Sequence, residues 1–113
     1  LYEPLHPAIL RLIAQVIESG HAKGIPVGMC GEMASDPKYT LLLLGLGLDH
    51  YSTNSDALLK IKKIIRSVSY AEAREIAQQA LGYSSASDTE KFITQLMQDR
   101  FPDVFYYVDD EKE

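Results

Sequence analysis

The sequence has only one cysteine, Cys30. No disulfide can close within the chain, and a reducing, cytoplasmic setting is the expectation. Long hydrophobic runs are also missing. A bilayer-spanning helix needs ~18 apolar residues, and the longest candidate here is Leu41–Leu44 with flanking Gly and Leu, so membrane insertion is not expected. No basic segment followed by an apolar core opens the chain, and a secretory signal is not expected either. Positive charge is in the minority, 11 Lys and Arg against 16 Asp and Glu for a net −5. That balance argues against a nucleic-acid partner, because no face could gather many phosphates without unusual segregation of charge. The most basic stretch, Lys60 to Arg66, falls on an amphipathic pattern and reads as a solvated helix face. Phosphate-binding loops are absent, and Gly45-x-Gly47 lacks the third glycine of a dinucleotide site. The chain opens at Leu1 with no methionine, which reads as a piece of a longer polypeptide.

What is present is ordinary globular material, 46% apolar and 24% charged, so disorder is expected only at the ends. His6-Pro7 predicts a helix start, with proline in the first turn where its missing N–H costs nothing. Ile9, Leu12, Ile13, Val16 and Ile17 then form one apolar stripe at helical spacing, and Gly20 and Gly24 bracket the exit. Ile25 to Cys30 is short, apolar and bounded by glycines, the pattern of a buried strand. Ser35-Asp36-Pro37 predicts a second helix through Leu44, ended by Gly45 and Gly47, although four consecutive leucines fit a strand as well. Leu48 to Thr53 reads as a second strand. Asn54 or Ser55 caps a helix that buries Leu58, Ile61, Ile64, Ile65 and Val68. Ser69 and Glu72 form a capping box before a stripe of Ala73, Ile76, Ala77, Ala80 and Leu81. Ser87 and Glu90 repeat the box and open a helix to about Arg100. An aromatic cluster, Phe105-Tyr106-Tyr107, precedes an acidic end expected to fray.

Strands alternating with helices imply parallel βα units and an α/β fold. Two parallel strands cannot cover both faces and both edges by themselves. The pattern therefore reads as a slice of a larger parallel sheet or barrel.

Gly28-Met29-Cys30-Gly31-Glu32 is the most informative segment. It puts a thiol at the C-terminal end of a strand, where βα folds keep their active sites, and Gly31 allows close approach of a ligand or backbone. A thiol there has two chemical uses. As a thiolate it is a nucleophile; as a neutral thiol it donates a proton to a carbon centre. The bland alternative is a buried, small apolar residue. Glu32, Asp36 and Asp49 lie beyond strand or helix ends, where carboxylates bind metals but more commonly cap helices or face solvent. His6, His21 and His50 do not fall at metal-ligand spacing with Cys30, so a zinc site is not expected.

Read in order, four segments carry a resemblance: Leu5 to Ile13, Gly28 to Ala34, Leu41 to Asp49, and Ile61 to Arg66. Over about residues 1–82 the chain resembles the last quarter of the phosphoenolpyruvate-binding barrel of enzyme I of the bacterial sugar phosphotransferase system. Pyruvate phosphate dikinase and phosphoenolpyruvate synthase share a Cys-Gly strand, but the Leu5-His6-Pro7 opening fits enzyme I better. The motifs also fit a nitrogen-regulatory paralogue of enzyme I.

The resemblance implies a (βα)8 barrel, of which residues 1–69 are the last two strands with flanking helices. Residues 70–113 would be a C-terminal helical extension. It implies phosphoryl transfer from phosphoenolpyruvate to a histidine on a separate domain, and then to a histidine-containing phosphocarrier protein. Mg2+ would neutralise the phosphate, and the parent protein would be a homodimer. Cys30 takes the place of the family's catalytic cysteine, which protonates the methylene carbon of enolpyruvate. A thiol suits this role, being neutral near pH 7 yet able to give and regain a proton. Gly31 and Glu32 would shape the neighbouring wall of the substrate site.

The sequence departs from the family at Thr53, where methionine is usual, and at Ser35, where glycine is common. The metal carboxylates, phosphate-binding arginines and phosphorylated histidine that the resemblance implies have no counterpart in these residues, so the chain alone is expected to be inactive. A rival reading is a non-catalytic interaction module that assembles through strand edges and the aromatics from Phe101 to Tyr107.

Overall fold

The computed structural model describes residues 3–105. The acidic end, Tyr106 and Tyr107 lie outside that range. Helix α1 spans Pro7–Ala22, with His6 as its cap: the imidazole Nδ1 accepts from Ala8 N at 3.1 Å. Strand β1 is Gly28–Met29 and β2 is His50–Tyr51. They pair in parallel, Gly28 with His50 and Met29 with Tyr51. Between them lie a one-turn helix α2 (Glu32–Ser35), a 3-10 turn (Pro37–Tyr39) and α3 (Thr40–Leu46). Four more helices follow: α4 (Ser55–Arg66), α5 (Tyr70–Leu81), α6 (Ala86–Arg100) and α7 (Pro102–Phe105). The described chain is thus mostly helical around a two-stranded parallel sheet.

The leucine run is a helix, not a strand. Asp36 opens the turn by accepting from Lys38 N at 3.0 Å, the capping role read for it. Leu41, Leu42 and Leu43 are fully buried in the centre of the core. Gly45 does not end this helix but lies inside it; Gly47 ends it in the left-handed region, at φ 101°. The core also takes Leu5, Leu10 and Ile17 from the N-terminal side, and Ile76, Ala77, Ile93, Met97, Phe101 and Phe105 from the C-terminal side. Burial of Phe101 and Phe105 removes them from the aromatic assembly surface of the rival reading.

Two of the caps read from the sequence close within one turn of chain. Asn54 caps α4, accepting from Ala57 N at 2.9 Å. Ser69 and Glu72 close their box, with Glu72 N donating to Ser69 Oγ at 3.1 Å and Ser69 N to Glu72 Oε1 at 3.1 Å. On α4, Lys60, Lys62, Lys63 and Arg66 face outward as read from the sequence.

Other expectations require correction. The segment Ile25–Cys30 is not a buried strand: only Gly28 and Met29 pair, and Ile25 and Cys30 are exposed. Pro26 offers no ladder donor, and a two-stranded sheet has too little material above it to bury the whole segment. Likewise the Leu48–Thr53 strand shrinks to His50–Tyr51. Of the apolar stripe read on α1 only Ile17 is buried and Ile13 half-buried, whereas Leu12 and Val16 remain 56% and 53% exposed and Ile9 42%; the other buried residue is Leu10, outside the stripe. Apolar residues cover more of that helix than its neighbours here can meet. On α4, Ala57 turns inward and Leu58 outward. The α6 cap is Ser85, whose side chain accepts from Asp88 N at 3.1 Å, so the box at Ser87 is not used. Its glutamate, Glu90, instead pairs with Lys38 and ties α6 to the turn before α3.

Candidate functional site

Parallel pairing decides which residues share the C-terminal end of the strands. Ser52 N donates to Met29 O at 2.9 Å, one step beyond the Met29–Tyr51 pair. The ladder therefore carries Cys30 and Ser52 to the same place, although 21 intervening residues separate them in the sequence. Gly28, Met29, Cys30, His50, Tyr51 and Ser52 line an open recess of about 310 Å³. Cys30 is exposed there and is not packed into the core of this chain. Directly after it, Gly31 adopts φ 103° and starts α2. Space around a Cβ at Gly31 is open, so the backbone angle, not crowding, calls for glycine. Glu32 is the first residue of α2 and exposed. Neither Gly31 nor Glu32 lines the recess; they flank it.

Tyr51 forms the wall on the core side. Its hydroxyl donates to Thr40 O at 3.5 Å, and burial pushes the phenol well above its ordinary 10.0, so it remains protonated. His50 and Tyr51 carry no signal in the sequence for membership of the site; the parallel register alone brings them in. Among the described residues, no group of three or more His, Cys, Asp or Glu is placed to hold a metal ion. No described helix is long and apolar enough to cross a membrane.

At the opposite end of the strands stands Asp49. Its Oδ2 accepts from Val27 N at 2.7 Å and meets His21 Nε2 at 2.6 Å. This is neither capping nor simple solvation, the two roles read for Asp49 from sequence. The Val27 amide, followed by His21, holds the carboxyl below its ordinary 3.8.

The family described as PEP-utilising enzyme, PEP-binding domain, matches residues 1–70. The chain belongs to this family. Among curated relatives, the phosphoenolpyruvate-protein phosphotransferase of Haemophilus influenzae is 44% identical over 97 residues, 86% of this chain and 17% of that protein. Its namesake in Buchnera aphidicola subsp. Acyrthosiphon pisum is 51% identical over 81 residues, 72% of this chain and 14% of that protein. The Staphylococcus carnosus protein of the same name is 47% identical over 88 residues, 78% of this chain and 15% of that protein. The chain thus spans a small part of the length of these relatives.

The lowered Asp49 value has a consequence for stability. Its bonds to Val27 and His21 stabilise the fold fully above the ordinary 3.8, and that contribution is lost as pH falls through the lower folded value. Glu72, through the Ser69 amide, and Asp103, through Lys63, are lowered too and act in the same direction. Urea midpoints of the chain are expected to decline below about pH 4, and Asp49→Asn to decline less steeply. Identical acid profiles for the two proteins would show that Asp49 contributes nothing.

Proposed function

We propose that this chain is the C-terminal part of the phosphoenolpyruvate-binding barrel of a phosphoenolpyruvate-protein phosphotransferase, with Cys30 as proton donor. The observation that carries the reading is the exposed Cys30 thiol beside Ser52 at the C-terminal end of two parallel strands, within a stretch matching the PEP-binding domain. Residues 1–69 would be the last two βα units of a (βα)8 barrel, and residues 70–113 its helical extension. Each strand has one edge without a strand partner among the described residues. Together with the exposed Ile9, Leu12 and Val16 of α1, these edges support burial against further protein in a larger, dimeric, cytoplasmic parent.

In that parent, the phosphoryl group leaves phosphoenolpyruvate for a histidine, which passes it to a histidine-containing phosphocarrier protein. As the histidine nitrogen bonds to phosphorus, the P–O bond breaks and its electron pair stays on the enol oxygen, giving the enolate of pyruvate. Cys30 gives its Sγ proton to the methylene carbon, the enolate becomes pyruvate, and the thiolate regains a proton from water. Gly31 and Glu32 flank the reacting carbon's side of the recess. Mg2+ would be held by residues of the parent beyond this chain.

The test is protection of the thiol. In the full-length protein, phosphoenolpyruvate is expected to slow alkylation of Cys30 by iodoacetamide, read by mass spectrometry. An alkylation rate indifferent to saturating phosphoenolpyruvate would remove Cys30 from the substrate site. The isolated chain is expected to turn over no phosphoenolpyruvate.

A further inference from the structure

The cluster at the other end of the strands from Cys30 takes no part in the chemistry above. Asp49 holds Val27 by both of its backbone groups. Its Oδ2 accepts from Val27 N at 2.7 Å, and its own N–H donates to Val27 O at 2.9 Å. His50 N reaches the same carbonyl at 3.3 Å. His21, from the last turn of α1, meets the same carboxylate oxygen at 2.6 Å and ties the strands to that helix. The ring of His21 has its place because residue 47 is glycine. A Cβ there would stand 3.2 Å from Ile17 Cγ2 and 3.3 Å from His21 Cε1.

The β1–β2 pairing joins only two residues on each strand, Gly28 with His50 and Met29 with Tyr51, so the ladder itself supplies few bonds to fix their register. A slip by one residue would send every side chain to the other face, and Cys30 would leave the recess it shares with Ser52. Cys30 lies three residues beyond Val27, roughly 10 Å along an extended chain. A displacement at the clamp is carried directly to the thiol, and an error of ~1 Å at a reacting group costs on the order of a hundredfold in rate.

We propose that Asp49, oriented by His21, is a positioning residue for Cys30: it fixes the β1–β2 register that places the thiol against the substrate. The inference rests on the reading of Cys30 as proton donor and adds to it the residues that hold that donor in place.

The experiment is a double-mutant cycle in the full-length enzyme, with kcat, the KM for phosphoenolpyruvate and thermal stability measured for Asp49→Ala, Cys30→Ala and the double variant. Asp49→Ala is expected to lower kcat by roughly ten- to a hundredfold and leave KM within about twofold. Asp49→Asn, which keeps an oxygen able to accept from Val27, is expected to recover most of the rate. On the Cys30→Ala background, Asp49→Ala is expected to cost nothing more, because its effect acts through the thiol. An equal loss on both backgrounds would show general structural damage and overturn the proposal, as would a normal kcat for Asp49→Ala. Should Asp49→Ala fail to fold, His21→Ala, which removes one of the two side-chain bonds, is read by the same criteria. A slow Cys30→Ala enzyme with a fast Asp49→Ala enzyme refutes the clamp alone. A Cys30→Ala enzyme as fast as the parent refutes the proton-donor reading, and the clamp's purpose with it.

Discussion

Replacing Cys30 with alanine in the full-length protein is expected to slow pyruvate formation by about 10²–10⁴-fold, the usual worth of a positioned proton donor. The loss should appear in kcat, because the thiol acts on a carbon that becomes basic only after the phosphoryl group has left. Stability should change little. Cys30 is exposed, so truncation opens no cavity, and surface substitutions stay within about 0.5 kcal/mol. Cys30→Ser is the sharper variant. It preserves size and a proton, but a hydroxyl is far less acidic than a thiol, so activity should remain low. Pyruvate formation at the parental rate in Cys30→Ala would end the catalytic assignment. A large fall in Tm with it would mean that the loss came from unfolding.

The second large effect is on stability, at Gly45. Here α3 crosses α5 so closely that an added Cβ would lie 1.9 Å from Ala73 O and 2.8 Å from Ala77 Cβ. Gly45 is inside a helix and its φ is not positive, so by propensity alone alanine would stabilise it by roughly 0.5–1 kcal/mol. The clash outweighs that gain. The obstructing atom belongs to the backbone of another helix and cannot rotate aside, so the two helices must separate. Overpacking costs about 1–3 kcal/mol and occasionally more, and a value near 3 would lower Tm by roughly 12 °C for a chain of this size. Thermal denaturation of Gly45→Ala followed by circular dichroism reads this directly. A variant as stable as the parent would show that α3 and α5 do not meet so closely.

Both predictions depend on residues that the sequence marks, but for reasons it does not contain. The segment from Gly28 to Glu32 is legible as a candidate site because a thiol between glycines at a strand end is unusual chemistry in a βα pattern. The two glycines at 45 and 47 are legible as helix breakers, yet only Gly47 is one. Gly45 is required by a neighbour 28 residues further along, Ala73. Asp49 was legible only as a polar residue at an element's end. Its partners, Val27 and His21, are 22 and 28 residues away and arrive through the fold.

By itself the sequence determined what depends on neighbours within a turn or two. It set the caps at His6, Asp36, Asn54 and Ser69, the inward stripe of α5, the outward lysines of α4 and the strand–helix alternation. These follow from bonds that close locally and from hydrophobic period. The tertiary structure alone decided which apolar faces find cover, leaving Leu12 and Val16 outside while burying Leu10 and Ile17. It also decided that Cys30 stands beside Ser52 and that one carboxylate clamps both strands. Those outcomes turn on strand register and helix crossing distance, quantities set by contacts between residues far apart in the chain.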